Sequence, residues 1–387
     1  LISTPALHSL ANLINWRQLP ELAAWTIEEG IAIQQIPAPT FAEQRRAEYV
    51  RQRFIALGLE AVENDPIGNV WGVYRGVQSK LPGVLVSAHT DTIFSADTDL
   101  AIRRENDLIY GAGLGDNSLG VAGMLALIRA LCDANIKPTR DLWFAATTRE
   151  EGLGDLGGMK AVFSHLQPYI NCVINLEGLA LGHIYHAGIA VRRLHITATA
   201  SGGHSWLHFG RPSAVHGIVQ LGAKIAALKP ALNPRTTFNI GMIDGGEAIN
   251  AIATQASLWL DLRSEATANL EALEGRVRHE VRALEQEDLH FEVEVVGDRP
   301  AGSIPADHWL TKLAVEALAQ INIQGTLEMG STDGNVPLSQ GCPAVTVGIT
   351  RGGNAHRLDE YIEATPVSAG LRQIILLTLA AAQHQPS

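Results

Sequence analysis

Four short apolar runs, 69–74, 84–88, 142–147 and 172–176, recur in the first half of the chain, each bounded by turn residues. Runs of this length suit strands buried on both faces. Val121 to Leu131 reads as a helix between two of them. Strands alternating with helices predict a mostly parallel sheet covered on both sides. Upstream, residues 21–36 carry apolar positions at helical spacing. Thr40 with Glu43 predicts a capping box opening a second helix that runs to about Leu57.

Near Gly188 the pattern changes. Leu194, Ile196 and Ala198 alternate with His195, Thr197 and Thr199, and 213–228 returns to helical spacing. Strands at about 237–243 and 256–263 follow, then a helix at about 267–287 with Leu270, Leu273, Val277, Val281 and Leu284 on one stripe. A last strand alternates Phe291, Val293 and Val295 with Glu292 and Glu294. The order βαββαβ is that of a ferredoxin-like domain. After Pro300 the first style resumes, with a helix at about 307–321, a strand at 344–348 and a helix at about 366–383. The expected fold is therefore α/β, a mixed and mostly parallel sheet with helices on both faces. It is built from 1–187 and 302–387, and an α+β ferredoxin-like domain, 188–301, is inserted in it. A chain of 387 residues is long enough for two domains.

Lys and Arg total 29 against 40 Asp and Glu, a formal charge of −11. Nucleic-acid affinity rests on neutralising phosphates, so such a chain is a poor polyanion binder. There is no apolar run long enough to span a bilayer. Three cysteines (Cys132, Cys172, Cys342) without CxxC spacing argue against a disulfide framework or a cysteine zinc site, and for a reduced, cytoplasmic setting. The first residues lack the basic head and apolar stretch of a secretory signal, while the start at Leu1 leaves a trimmed leader open.

The chemistry-bearing residues gather after the strands, where open α/β sheets place their ligands. The run 84–88 leads into His89-Thr90-Asp91, 142–147 into Glu150-Glu151, 172–176 into Glu177, and His356 lies just past 344–348. Asp116 sits in the glycine-rich turn GAGLGDNSLG before a helix. Singly, each has an ordinary reading: Asp116 as a helix cap, Glu150-Glu151 as a solvated loop. Together, two histidines and several carboxylates converging on one sheet edge would repel unless a cation joined them. Imidazole and carboxylate are zinc ligands, and a catalytic site keeps a position open. A metal pair needs a shared carboxylate, for which Asp116 is placed. Asp91, two residues from His89, can hold the other imidazole nitrogen and fix its tautomer. In Glu150-Glu151 the side chains diverge, so one can ligate while its neighbour serves as general base.

The motifs VSAHTDT, GLGDNSLG, TTREEGLGD, INLEG and AHRLDE, in this order, resemble those of the co-catalytic zinc peptidases. That family includes tripeptidase T, glutamate carboxypeptidase, aminoacylase and succinyl-diaminopimelate desuccinylase. The resemblance spans nearly the whole chain. It implies that His89, Asp116 and Glu177 hold one metal, that Asp116, Glu151 and His356 hold the other, that Asp91 orients His89, and that Glu150 is the general base. Asn117-Ser118-Leu119-Gly120 departs from the acidic residue or Met followed by Lys-Gly that many members carry there.

In the inserted domain, which in that family is a lid that usually dimerises, His204 of SGGHSW resembles a histidine that reaches the partner's site and steadies the oxyanion. His208 is the competing choice. Asn250 and Arg263 resemble substrate-binding residues, the arginine gripping a carboxylate. An ordinary salt bridge is its alternative reading. Ser331 and Thr332 of GSTDG resemble a substrate-side loop. The resemblance thus implies a hydrolase with two divalent ions, zinc before manganese or cobalt. In it, water held by the metal pair and deprotonated by Glu150 attacks the amide of a small peptide. The competing substrate is an N-acyl amino acid, as for a deacylase or desuccinylase. A catalytically dead binding protein on this fold would lack ligands or base, and every such position is filled.

Overall fold

The computed structural model describes residues 4–12 and 14–384. The chain start at Leu1, where the question of a leader arises, lies outside the described residues. The chain forms two compact units, Leu1–Gly188 with Gly302–Ser387, and Ile189–Ala301.

In the first unit the strands Gly83–His89, Leu142–Thr147, Ile170–Glu177 and Ala344–Gly348 pair in parallel. They are almost wholly buried, as their predominantly apolar runs require. Val70–Tyr74 and Glu60–Asn64 extend one side antiparallel. On the other side His183–Gly188 runs antiparallel to Ala344–Gly348 and carries Thr326–Gly330 and Gly302–Ser303. Gly302 pairs with Gly188, so the chain leaves and re-enters this unit at adjacent points. Helices flank the sheet. Leu119–Asp133 and Val367–Gln383 are apolar on nearly all sides and correspondingly buried, whereas Gln44–Ala56 buries only Arg46, Ala47, Val50 and Phe54. A separate small sheet orders Gly352–Gly353, Tyr361–Glu363, Leu108–Tyr110 and Arg103–Glu105. It joins two stretches about 250 residues apart in sequence and was not visible in the hydropathy pattern.

The expected capping box at Thr40 and Glu43 does not form. The helix begins at Gln44 without a side-chain cap. Thr40 instead donates its hydroxyl to Asp91 Oδ2 at 2.8 Å, and Glu43 Oε1 accepts the N–H groups of Phe41 and Arg149. Tertiary partners outcompete the local cap.

The second unit is an antiparallel sheet ordered Thr236–Gly245, Gln255–Ser264, Ala190–Ala200 and Leu289–Arg299. Ala214–Ala226 and Thr267–Leu284 close its core, in which Leu194, Ile196, Leu258 and Leu260 meet Ile218, Leu221, Leu270 and Val277. The βαββαβ order and this strand arrangement are ferredoxin-like. Among the described residues no helix is long and apolar enough to cross a membrane.

Candidate metal centre

Register brings the side chains together. His89 ends its strand opposite Thr147, Gly348 lies opposite Glu177, and Ser87 pairs with Asn175. All four parallel strands therefore deliver their carboxyl ends to one edge. Glu150 and Glu151 follow Thr147 by three and four residues. The Asp116 turn is fastened to the same edge by buried Asn117: its Nδ2 donates to Leu176 O at 2.8 Å and its Oδ1 accepts Gly178 N at 2.9 Å. A Cβ at Gly120 would collide with that carboxamide. The departure at 117–120 thus supplies the brace that holds the turn beside Glu177.

His89 Nε2 lies 3.2 Å from Asp116 Oδ1 and 3.6 Å from Glu177 Oε2. His356 Nε2 lies 3.0 Å from Asp116 Oδ2 and 3.1 Å from Glu151 Oε1. Two triads result, His89–Asp116–Glu177 and Asp116–Glu151–His356, and Asp116 turns one oxygen to each. Glu150 stands within the same cluster, grouped with His89 and Glu151. Zinc–ligand distances of about 2.0–2.2 Å give tetrahedral ligand–ligand edges of about 3.3–3.6 Å. The observed spacings fall close to these edges, so the donor set fits divalent ions.

Electrostatics point the same way. Burial lowers an imidazole pKa, yet Glu177, Asp116 and Asp91 push His89 well above its ordinary value. Hydrogen bonds to Asp116 and Glu151 push His356 up to about 10. Burial raises the Asp116 carboxyl, but the two histidines hold it below the usual carboxylate range. Burial, with Asp116 and Glu151 nearby, raises Glu177 against the pull of His89. The cluster draws in positive charge, which protons supply here and a metal ion can supply instead.

Asp91 has a wider role than the spacing suggested. His89 Nδ1 is 3.1 Å from the Asp91 carbonyl and 3.5 Å from Oδ1. The carboxylate also accepts Glu150 N on Oδ1 and Glu151 N on Oδ2, both at 2.9 Å. Although burial opposes ionisation, His89 and these two N–H groups keep Asp91 below its ordinary pKa.

Beside Asp116 and Glu177 opens a cavity of about 460 Å³, lined in part by Ser331, Thr332, Leu179, His183 and Tyr185. Sequence reasoning passed over Asp333 and Glu360, both fully buried. Thr147 donates to Asp333 Oδ2 at 2.6 Å, and burial pushes this carboxyl up to about 7. Both residues belonged to motifs already singled out, GSTDG and AHRLDE. Their burial was the missing signal.

The remaining candidates lie in the second unit. His204 pairs with Ala251, next to Asn250, whose carbonyl accepts Ser205 N. His204 Nδ1 accepts Trp206 N and Leu207 N, which puts the proton of a neutral ring on Nε2. His208 Nδ1 accepts the His204 N–H and so shapes this loop. Asn250 is exposed. Arg263 pairs with Asp261 at 2.7 Å.

Comparison with known proteins completes the picture. Residues 85–380 match the model of peptidase family M20/M25/M40. The chain is 26% identical over 355 residues to a putative succinyl-diaminopimelate desuccinylase, DapE, of Mycobacterium tuberculosis, covering 89% of this chain and 95% of that one. It is 25% identical over 335 residues to an acetylornithine deacetylase of Photorhabdus laumondii, covering 79% and 82%. In fold it matches the aminopeptidase PepT of Bacillus cereus, with a TM-score of 0.76, 20% identity and coverage of 96% and 100%. Five separated motifs, the ligand geometry and a match over most of the chain agree: the chain belongs to peptidase family M20/M25/M40 and is a metal-dependent hydrolase of the metallopeptidase and amidohydrolase kind.

Proposed function

We propose that this chain is an exopeptidase of small peptides that works with two divalent ions, zinc in the first instance. The observation that carries this is Asp116, whose two oxygens face the Nε2 atoms of two different histidines. His89, Asp116 and Glu177 would hold one ion, and Asp116, Glu151 and His356 the other. When bound, such a pair lowers the pKa of water to about 7 and polarises the scissile carbonyl. Glu150 takes the proton of the attacking water and returns it to the departing nitrogen. Asp91 fixes the backbone of Glu150 and Glu151 and orients His89. Ser331 and Thr332 line the cavity that receives the substrate. In a dimer His204 would supply an Nε2 donor for the oxyanion at the partner's site, and Asn250 and Arg263 would bind the substrate, Arg263 exchanging Asp261 for a substrate carboxylate.

Residues 1–187 with 302–387 form the catalytic domain in this reading, and 188–301 the lid and dimerisation domain. The second unit exposes Trp206, Leu207, Phe209 and Ile249, and Met242 and Ile243 on the edge strand Thr236–Gly245. Exposed large apolar side chains and an edge strand favour association with a second copy. Three free cysteines agree with a cytoplasmic setting. A second reading, an N-acyl amino acid amidohydrolase, draws on the relatives named desuccinylase and deacetylase.

Metal analysis of purified protein together with Glu150→Gln tests the core. Two ions per chain and a kcat loss of about 10²–10⁴-fold with metal content preserved are expected. Near-normal turnover of the variant would remove Glu150 as base. Matched panels of di- and tripeptides and of N-acyl amino acids then decide between the substrates.

A further inference from the structure

Glu360 is fully buried, four residues after His356 and immediately before the strand Tyr361–Glu363. That strand pairs with Leu108–Tyr110, which sets Glu360 against the turn that follows Tyr110 and carries Asp116. One carboxylate oxygen, Oε1, accepts Gly115 N at 2.6 Å and Asp116 N at 3.0 Å. The Glu360 carbonyl accepts Gly111 N at 2.9 Å, at the start of the same turn. A third N–H of the same turn, that of Gly113, also favours the charged carboxyl, while Oε2 makes no hydrogen bond of full geometry. Glu360 thus holds the main chain of one candidate ligand, Asp116, from the loop of another, His356, through hydrogen bonds to N–H groups and not to a ligand side chain. Those two ligands meet at 3.0 Å.

We propose that Glu360 is a positioning residue for the Asp116–Glu151–His356 triad, setting the separation of Asp116 and His356 by holding the N–H groups of Gly115 and Asp116 on a single oxygen. The inference rests on the two-ion reading above. Its active element is an acceptor atom at a fixed place. Glutamine keeps that oxygen and puts its amide in the Oε2 place, where no full hydrogen bond is lost. Aspartate keeps the charge but withdraws the oxygen by one methylene. Alanine removes it and leaves two buried N–H groups orphaned.

The test is a zinc titration of the metal-stripped full-length protein, competed against a chromogenic chelator. Thermal unfolding of each variant is run beside it. Wild type should bind two zinc ions. Glu360→Ala and Glu360→Asp should bind one of the two about 10–100-fold more weakly, the usual effect of removing a group that holds a metal ligand in place. Glu360→Gln should stay close to wild type. If the alanine variant does not fold, the order of the glutamine and aspartate variants decides. Glutamine as impaired as aspartate, or alanine folded with two native affinities, would overturn the proposal. A wild type that binds no zinc would instead overturn the two-ion reading on which it rests.

Discussion

Asp91→Asn isolates what a buried carboxylate contributes to the base loop. Asp91 is wholly buried and accepts from three donors: Glu150 N on Oδ1, and Glu151 N and the Thr40 hydroxyl on Oδ2. Its Oδ1 also faces His89 Nδ1. Asparagine keeps one acceptor. With the amide nitrogen in the Oδ2 place, the Thr40 hydroxyl can turn round and accept, but Glu151 N meets a donor. The opposite flip sets the amide against both Glu150 N and His89. The first arrangement is the better one, and it leaves one buried N–H without a partner, at about 1–3 kcal/mol. Loss of charge assistance on the Glu150 bond costs about 1 kcal/mol more. A drop of about 2–4 kcal/mol in urea-unfolding stability of the metal-stripped protein is expected. If Glu150 is the general base, kcat of the loaded enzyme should fall about 100-fold, because a small displacement of that side chain is enough. Thr40→Val removes only a donor and should cost less than about 1.5 kcal/mol with turnover nearly intact. An asparagine variant with the wild-type urea midpoint and kcat within threefold would show that Asp91 does not hold this loop (roughly the limit of measurement scatter).

Three further outcomes follow from the site. In metal-stripped protein, His356 near 10 lies above its ordinary 6.5, so the stability it adds is whole below about 6.5 and is lost as pH rises through about 10. Because a bound cation displaces that proton, the gap in thermal midpoint between loaded and stripped protein should widen over this range; a constant gap would refute the coupling. If the chain dimerises through its second unit, Phe209→Ser with Trp206→Ser should lower the mass read by light scattering from dimer to monomer, and an unchanged dimer mass would place the contact elsewhere. If His204 serves the partner's site, His204→Ala and Glu150→Gln, each inactive alone, should complement when mixed and reassembled, restoring about a quarter of wild-type sites, since half the dimers are mixed and each has one whole site. No recovery would confine His204 to its own chain.

Hydropathy exposed the central strands because parallel strands buried on both faces are predominantly apolar, and Gly83–His89 is buried at every position. It exposed the second unit because Leu194, Ile196 and Ala198 alternate on a sheet with one covered face. It missed Leu108–Tyr110 and Gly352–Gly353, three and two residues long, too short to show a period and joined into one sheet only through Tyr361–Glu363. The candidate ligands were legible because metal chemistry limits their types and strand ends bring them together. Thr40 and Glu43 misled because a local cap and a tertiary contact use the same side chains, and burial against Asp91 and Arg149 favoured the latter.

What spacing could not show is that the loops of the site hold one another by their backbones. Asp91, from the His89 loop, takes the N–H groups of Glu150 and Glu151. Glu43, from a third segment, takes Arg149 N, where the chain turns left-handed just before Glu150. Glu360, from the His356 loop, takes Gly115 and Asp116. Asn117, from the Asp116 turn, takes Gly178 N beside Glu177. Every brace is buried, and three of the four are carboxylates, which are costly to bury unless paired or hydrogen-bonded. Apolar packing could fill the same space, but it could not aim an N–H. Ligands on separate loops must be held to within about half an ångström for a metal pair to be shared, and directional bonds between loops achieve this where each loop alone is too short to hold its own shape. The same reasoning explains why the braces were harder to read than the ligands. A ligand's residue type is dictated by the ion, whereas a brace needs only an acceptor in the right place, which Asp, Glu and Asn each provide here.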